Sequence, residues 1–158
     1  MLDTNFLREL EAFIEFQQNN LVHADYSLYK SADILEAEVE LESFIKTNRK
    51  ASFQELLLSF IDESGATDPE IYKKAGLDRK HFSKIRKPTY QPSKPTVLLL
   101  ILALELSLEE AEELLQAAGF ALSDSDITDL VIQYCLDKAV YDIDEVNIAL
   151  EHVGLRPL

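Results

Sequence analysis

The stretch YKKAGLDRKHFSKIRKPTYQPSK, residues 72–94, gathers Lys73, Lys74, Arg79, Lys80, Lys84, Arg86, Lys87 and Lys94 into 23 positions. The chain holds 15 Lys and Arg against 29 Asp and Glu, a formal net charge of −14. Even placement would put about two basic residues in a window of that length. Outside it stand 7 basic and 28 acidic residues, a net of −21. Cations packed this densely suit one kind of chemistry, the pairing of ammonium and guanidinium groups with a polyanion. The acidic remainder repels the same polyanion and confines contact to one face.

Other chemistries find little support. His23, His81 and His152 lie far apart, without a metal-ligating neighbour at helical spacing. Asp124, Asp126 and Asp129 have the beginnings of a calcium loop. The loop lacks its central glycine, and Cys135 stands where the closing carboxylate belongs. No glycine-rich phosphate loop and no nucleophile motif is present. Cys135, on an apolar helix face, reads as inert core. The expectation is a protein that is not an enzyme and takes neither metal nor cofactor.

The basic residues need an element to aim them. At ~100° per residue, a helix over 78–87 puts Arg79, Lys80, Ser83, Lys84, Arg86 and Lys87 on one side. His81, Phe82 and Ile85 fall on the other. Asp78 is a suitable N-cap. Gly76-Leu77 leaves room only for a sharp bend after the short helix containing Ile71-Tyr72-Lys73-Lys74-Ala75. Two short helices joined by a glycine turn, the second basic on its outer side, make a helix-turn-helix. The major groove of a duplex admits one α-helix, and its phosphates supply the negative charge.

Helix punctuation extends along the chain. Ser52 with Glu55, Ser107 with Glu110 and Asp142 with Glu145 have capping-box spacing, and Asp68-Pro69 marks a further start. Gly65, Gly76, Gly119 and Gly154 mark stops. The signals predict helices near 53–64, 69–75, 78–87, 95–106, 108–118, 126–138 and 143–153, preceded by one over Thr4–Asn19. Residues 35–42, LEAEVELE, alternate like a strand, but Leu, Ala and Glu favour helix. That helix would put Ile34, Ala37, Leu41, Phe44 and Ile45 on one face, and residues 18–31 read as a linker. In the 126–138 helix, Leu130, Val131, Tyr134 and Cys135 are the expected apolar face. With few Gly and Pro and 47% hydrophobic residues, the fold class is all-α. Three regions are expected: a helical extension over 1–50, a domain over 51–120, and a helical pair over 121–158 packed on it.

Residues 53–118 resemble the Cro/repressor-type helix-turn-helix family, a five-helix DNA-binding domain. Ile71, Ala75, Leu77, Phe82 and Ile85 stand at the apolar positions of that family's bihelical pattern, with Gly76 at its glycine. Pro92-Ser93-Lys94-Pro95-Thr96 is similar to the family's lead-in to its fourth helix, and Leu104-Glu105-Leu106-Ser107-Leu108 to the lead-in to its fifth. Tyr72 replaces a usually small residue, and RKPTYQP replaces the usual acid-containing turn. The resemblance implies double-stranded DNA as partner, with Arg79, Lys80, Ser83 and Lys84 facing base edges. Lys73, Lys74, Arg86, Lys87, Tyr90 and Lys94 would then meet the phosphate backbone, which positions without specifying.

Operators with paired half-sites make a homodimer the matching expectation. Val97–Leu104, apolar nearly all round, reads as a central buried helix, with a dimer interface as the alternative. The function expected is a bacterial or phage transcription regulator, such as a repressor. The alternative is an antitoxin or inhibitor whose acidic faces bind a basic protein and whose helix-turn-helix is scaffold. Glu36, Glu38, Glu40 and Glu42, and Glu109, Glu110, Glu112 and Glu113, supply such faces. The eight-residue apolar run is far short of the ~20 residues that span a bilayer. With one cysteine and no signal-peptide pattern, a cytoplasmic location is expected.

Overall fold

Ser52, Thr67, Ser93 and Ser107 each turn a hydroxyl onto a free backbone N–H, and each starts a helix there. Ser52 accepts from Glu55 N at 3.2 Å while its own N–H donates to Glu55 Oε2 at 3.2 Å. Ser107 and Glu110 repeat the reciprocal pair. Each such cap contributes about 1 kcal/mol. Residues 3–19 and 32–158 are described by a computed structural model, and among them all regular structure is helical. The fold is all-α.

The chain divides into two compact units, Met1–Arg49 and Lys50–Leu158. In the first, α1 (Thr4–Asn19) and α2 (Ala32–Asn48) contact one another. The 32–48 segment is helical, as its composition predicts. Of the residues expected to share one face, Leu41, Phe44 and Ile45 are exposed, and α2 has no buried residue. The linker expected at 18–31 lies, from residue 20 onward, outside the described residues, as does His23.

The second unit holds α3 (Phe53–Ser64), α4 (Asp68–Lys74), α5 (Arg79–Ile85), α6 (Lys94–Ala103), α7 (Leu108–Ala117), α8 (Ile127–Asp137) and α9 (Ile143–His152). Its centre is α6, where Val97, Leu98, Leu100, Ile101, Leu102 and Ala103 are all buried. This helix packs against α4, α7 and α9, while α7 also meets α3 and α8. An all-round apolar helix is stable only in such a position, surrounded by others. No described helix is long and apolar enough to cross a membrane.

Some boundaries differ from the expected ones. α6 ends at Ala103, three residues early, because Glu105 takes a left-handed φ of 55°. There Leu106 N donates to Ile101 O and Glu105 N to Leu102 O, closing the helix without glycine. Ala139, at φ 54°, ends α8 in the same way. Thr67, rather than Asp68, caps α4: it pairs reciprocally with Glu70, which frees the Asp68 carboxylate.

The apolar face expected for α8 is also revised. Ile132, Cys135 and Leu136 are buried together with Asp129, whereas Leu130 and Tyr134 are exposed. The helix is apolar on more than one side, so periodicity alone does not choose the buried face. Contacts with α7 and α9 choose it.

Candidate nucleic-acid interface

The second helix of the bihelical unit is positioned from below. Phe82 and Ile85 are buried in the common core, and the Tyr72 and Phe82 rings approach to 5.6 Å at 43°. α4 closes on Gly76, whose φ of 73° suits a residue without Cβ. Gly76 N donates to Lys73 O and Leu77 N to Tyr72 O, so the chain reverses directly. Asp78 then caps α5, its Oδ1 accepting from His81 N at 2.6 Å. Apolar anchor, tight turn and cap leave one side of α5 to face outward.

On that side Arg79, Lys80, Ser83 and Lys84, the residues assigned to base edges, are all exposed. α5 ends at Ile85, short of the expected residue 87; Arg86, its C-cap, and Lys87 just beyond are exposed too, as is Lys73 at the end of α4. Among the described residues, no ion pair engages Lys73, Arg79, Lys80, Lys84 or Lys87.

Three basic residues assigned to phosphates are paired within the chain. Lys94 Nζ lies 2.7 Å from Asp129 Oδ2, and that carboxylate is buried and also accepts from Ser123 N at 2.9 Å. Lys94 therefore clasps the start of α6 to α8 and is not directed at an outside phosphate. Arg86 is paired with Asp68, the carboxylate that the Thr67 cap leaves available. Lys74 lies 3.5 Å from Glu105, with both side chains about half exposed. Proximity in sequence does not show that these partners exist, because α8 and the end of α6 arrive only on folding.

Tyr90 is half-buried against the core, its ring meeting His81 edge-on at 6.4 Å between centroids. Two glutamines that residue spacing did not single out hold the segment after α5. Gln54 of α3 is buried and donates from Nε2 to Ile85 O at 3.2 Å and to Tyr90 O at 3.0 Å. Gln91 donates to Ala118 O at 2.6 Å. A glutamine between Phe53 and the buried Leu57 was the available signal. Its amide satisfies the last carbonyl of α5 and a partly buried carbonyl of the loop that follows.

The rest of the surface carries two further features. α8 and α9 flank an open groove of about 500 Å³ lined by Ile127, Leu130, Val131, Tyr134, Ile148 and Val153. On α7, Glu109, Glu112 and Glu113 are exposed, with Glu110 engaged in its capping box. Burial pushes the Cys135 thiol above its ordinary range. No cluster of His, Cys, Asp or Glu among the described residues has a metal-holding arrangement. No protein-family model, curated protein or solved structure matches the chain.

Proposed function

We propose that the protein is a sequence-specific DNA-binding transcription regulator, with α5 as the helix that enters the major groove. The observation that supports this reading is the outward row Arg79, Lys80, Ser83 and Lys84, none of its cations engaged by a described carboxylate, above a side anchored by Phe82 and Ile85. Arg79 and Lys84 suit guanine edges, Ser83 a base or a phosphate, and Lys73 and Lys87 the flanking backbone. With a net of −21 outside the basic stretch, long-range repulsion weakens unselective binding and keeps a lone copy's affinity modest. A homodimer on paired half-sites offsets that weakness. The dimer contact we propose lies at the largely apolar groove flanked by α8 and α9, which a two-fold contact would cover in both copies.

The test is selection of duplexes from random sequence, then titration of the selected and unselected DNA across salt. Replacing Arg79 and Lys84 together with Ala abolishes the preference for the selected duplex. Lys87→Ala weakens all duplexes alike and makes the log K against log salt slope shallower by about 0.9. Binding unaltered by either change refutes the assignment of α5.

A second reading, an antitoxin-like or inhibitory module for a basic protein, draws on the exposed acids of α7. Recovery of a stoichiometric basic partner at moderate salt, with no DNA site enriched, favours it over the regulator.

A further inference from the structure

Asp68 stands where the proposed interface would rather have no acid. It opens α4, lines a shallow cleft of about 370 Å³ with Tyr72, Arg79, Ser83 and Arg86, and holds the Arg86 guanidinium in an ion pair. The capping of α4 does not require it, because Thr67 and Glu70 complete that box between them. Its carboxylate is therefore committed to a cation of the basic face. Glu105 repeats the arrangement at the other end of α4, beside Lys74.

We infer that Asp68 is an intramolecular stand-in for a DNA phosphate, a competitor that Arg86 must leave before it contacts the backbone. This rests on the regulator reading and adds a built-in limit on its affinity. A carboxylate and a phosphodiester present the guanidinium with the same anionic oxygen acceptors. While Asp68 holds Arg86, that part of the cleft carries no net charge, and an approaching phosphate meets an anion at the site meant to receive it. Both side chains are partly exposed, 45% for Arg86 and 32% for Asp68, so the pair is weak enough to exchange. Electrostatic contacts supply nearly all unselective binding, so a neutralised Arg86 depresses binding to every duplex. Glu105 acts on Lys74 in the same sense and more weakly, its oxygen being 3.5 Å away.

The experiment compares the full-length wild type, Asp68→Asn, Arg86→Ala and the double variant on a duplex selected by the wild type and on an unselected one. Asp68→Asn is expected to tighten both by about two- to fivefold, the worth of one exposed pair. It also steepens the log K against log salt slope by about 0.9, because one more uncompensated cation meets a phosphate. In the Arg86→Ala background the same change produces neither effect. Glu105→Gln, read against Lys74→Ala, repeats the test if Asp68→Asn does not fold. Unchanged affinity in Asp68→Asn overturns the inference. So does weaker affinity with an unaltered melting curve, which makes Asp68 a positioning residue that aims Arg86. A wild type that binds no duplex refutes the regulator reading itself, a result separable from failure of the variants.

Discussion

Replacing Lys94 by Met separates a structural role from a DNA-contacting one. Asp129 is buried, and its Oδ2 accepts from Lys94 Nζ at 2.7 Å and from Ser123 N at 2.9 Å. Removing the ammonium leaves a buried carboxylate with one backbone donor. Truncating one partner of a fully buried pair costs about 3–5 kcal/mol. The Lys94 side chain is 29% exposed, so water reaches the vacated position and the expected loss falls to about 2–3 kcal/mol. At roughly 4 °C per kcal/mol for a unit of this size, the melting temperature drops by about 8–12 °C. Asp129→Asn costs less, about 1–2 kcal/mol, because the freed ammonium can turn to water. The double variant loses less than the sum of the singles, a coupling of about 1–2 kcal/mol. Thermal unfolding followed by circular dichroism measures all three. The salt dependence of DNA binding by Lys94→Met, measured where the variant is folded, keeps the wild-type slope. A melting temperature within 2 °C or so of wild type, together with a slope shallower by about 0.9, would refute the clasp and return Lys94 to the phosphates.

Gln54→Ala deprives the carbonyls of Ile85 and Tyr90 of their donor and is expected to cost about 2 kcal/mol in denaturant titration, with faster amide exchange after α5. Ala139→Gly relieves a left-handed alanine and raises stability by about 0.5–1 kcal/mol, read from the same titration; an unchanged or lower midpoint contradicts the strain. Cys135, held above its ordinary pKa by burial, reacts slowly with iodoacetamide at neutral pH in the folded chain and at normal rate in urea. Since the folded thiol holds its proton more tightly than the unfolded one, its contribution to stability is present below the unfolded thiol's range and is lost as pH rises through the raised value. Tyr134→Glu places a charge in the α8–α9 groove and is expected to shift a dimer to monomer in light scattering; a mass unchanged from wild type removes the groove from the association.

Much of this architecture was legible one turn at a time. Ser52 with Glu55 and Ser107 with Glu110 announced α3 and α7 because a capping box is made within four residues. Gly76 announced the bend before α5, again a local matter of φ. The buried pair Phe82 and Ile85 followed from a single helical period. By contrast, α6 stopped early at Glu105, because a left-handed residue that is not glycine leaves no compositional mark. The face of α8 escaped for another reason. Leu130, Val131, Ile132, Tyr134, Cys135 and Leu136 cover much of its circumference, so more than one face could have turned inward.

By itself the chain of residues determined the helical class, most helix starts and stops, and the concentration of positive charge between residues 72 and 94. These rest on interactions spanning a few residues, whose partners are present before any folding occurs. Tertiary structure alone decided which of those charges remain available. Asp129 reaches Lys94 from 35 residues away and Asp68 reaches Arg86 from 18. A pairing across that distance requires α8 and α4 to be packed beside their neighbours, and no local rule encodes where a packed helix will set down its acids.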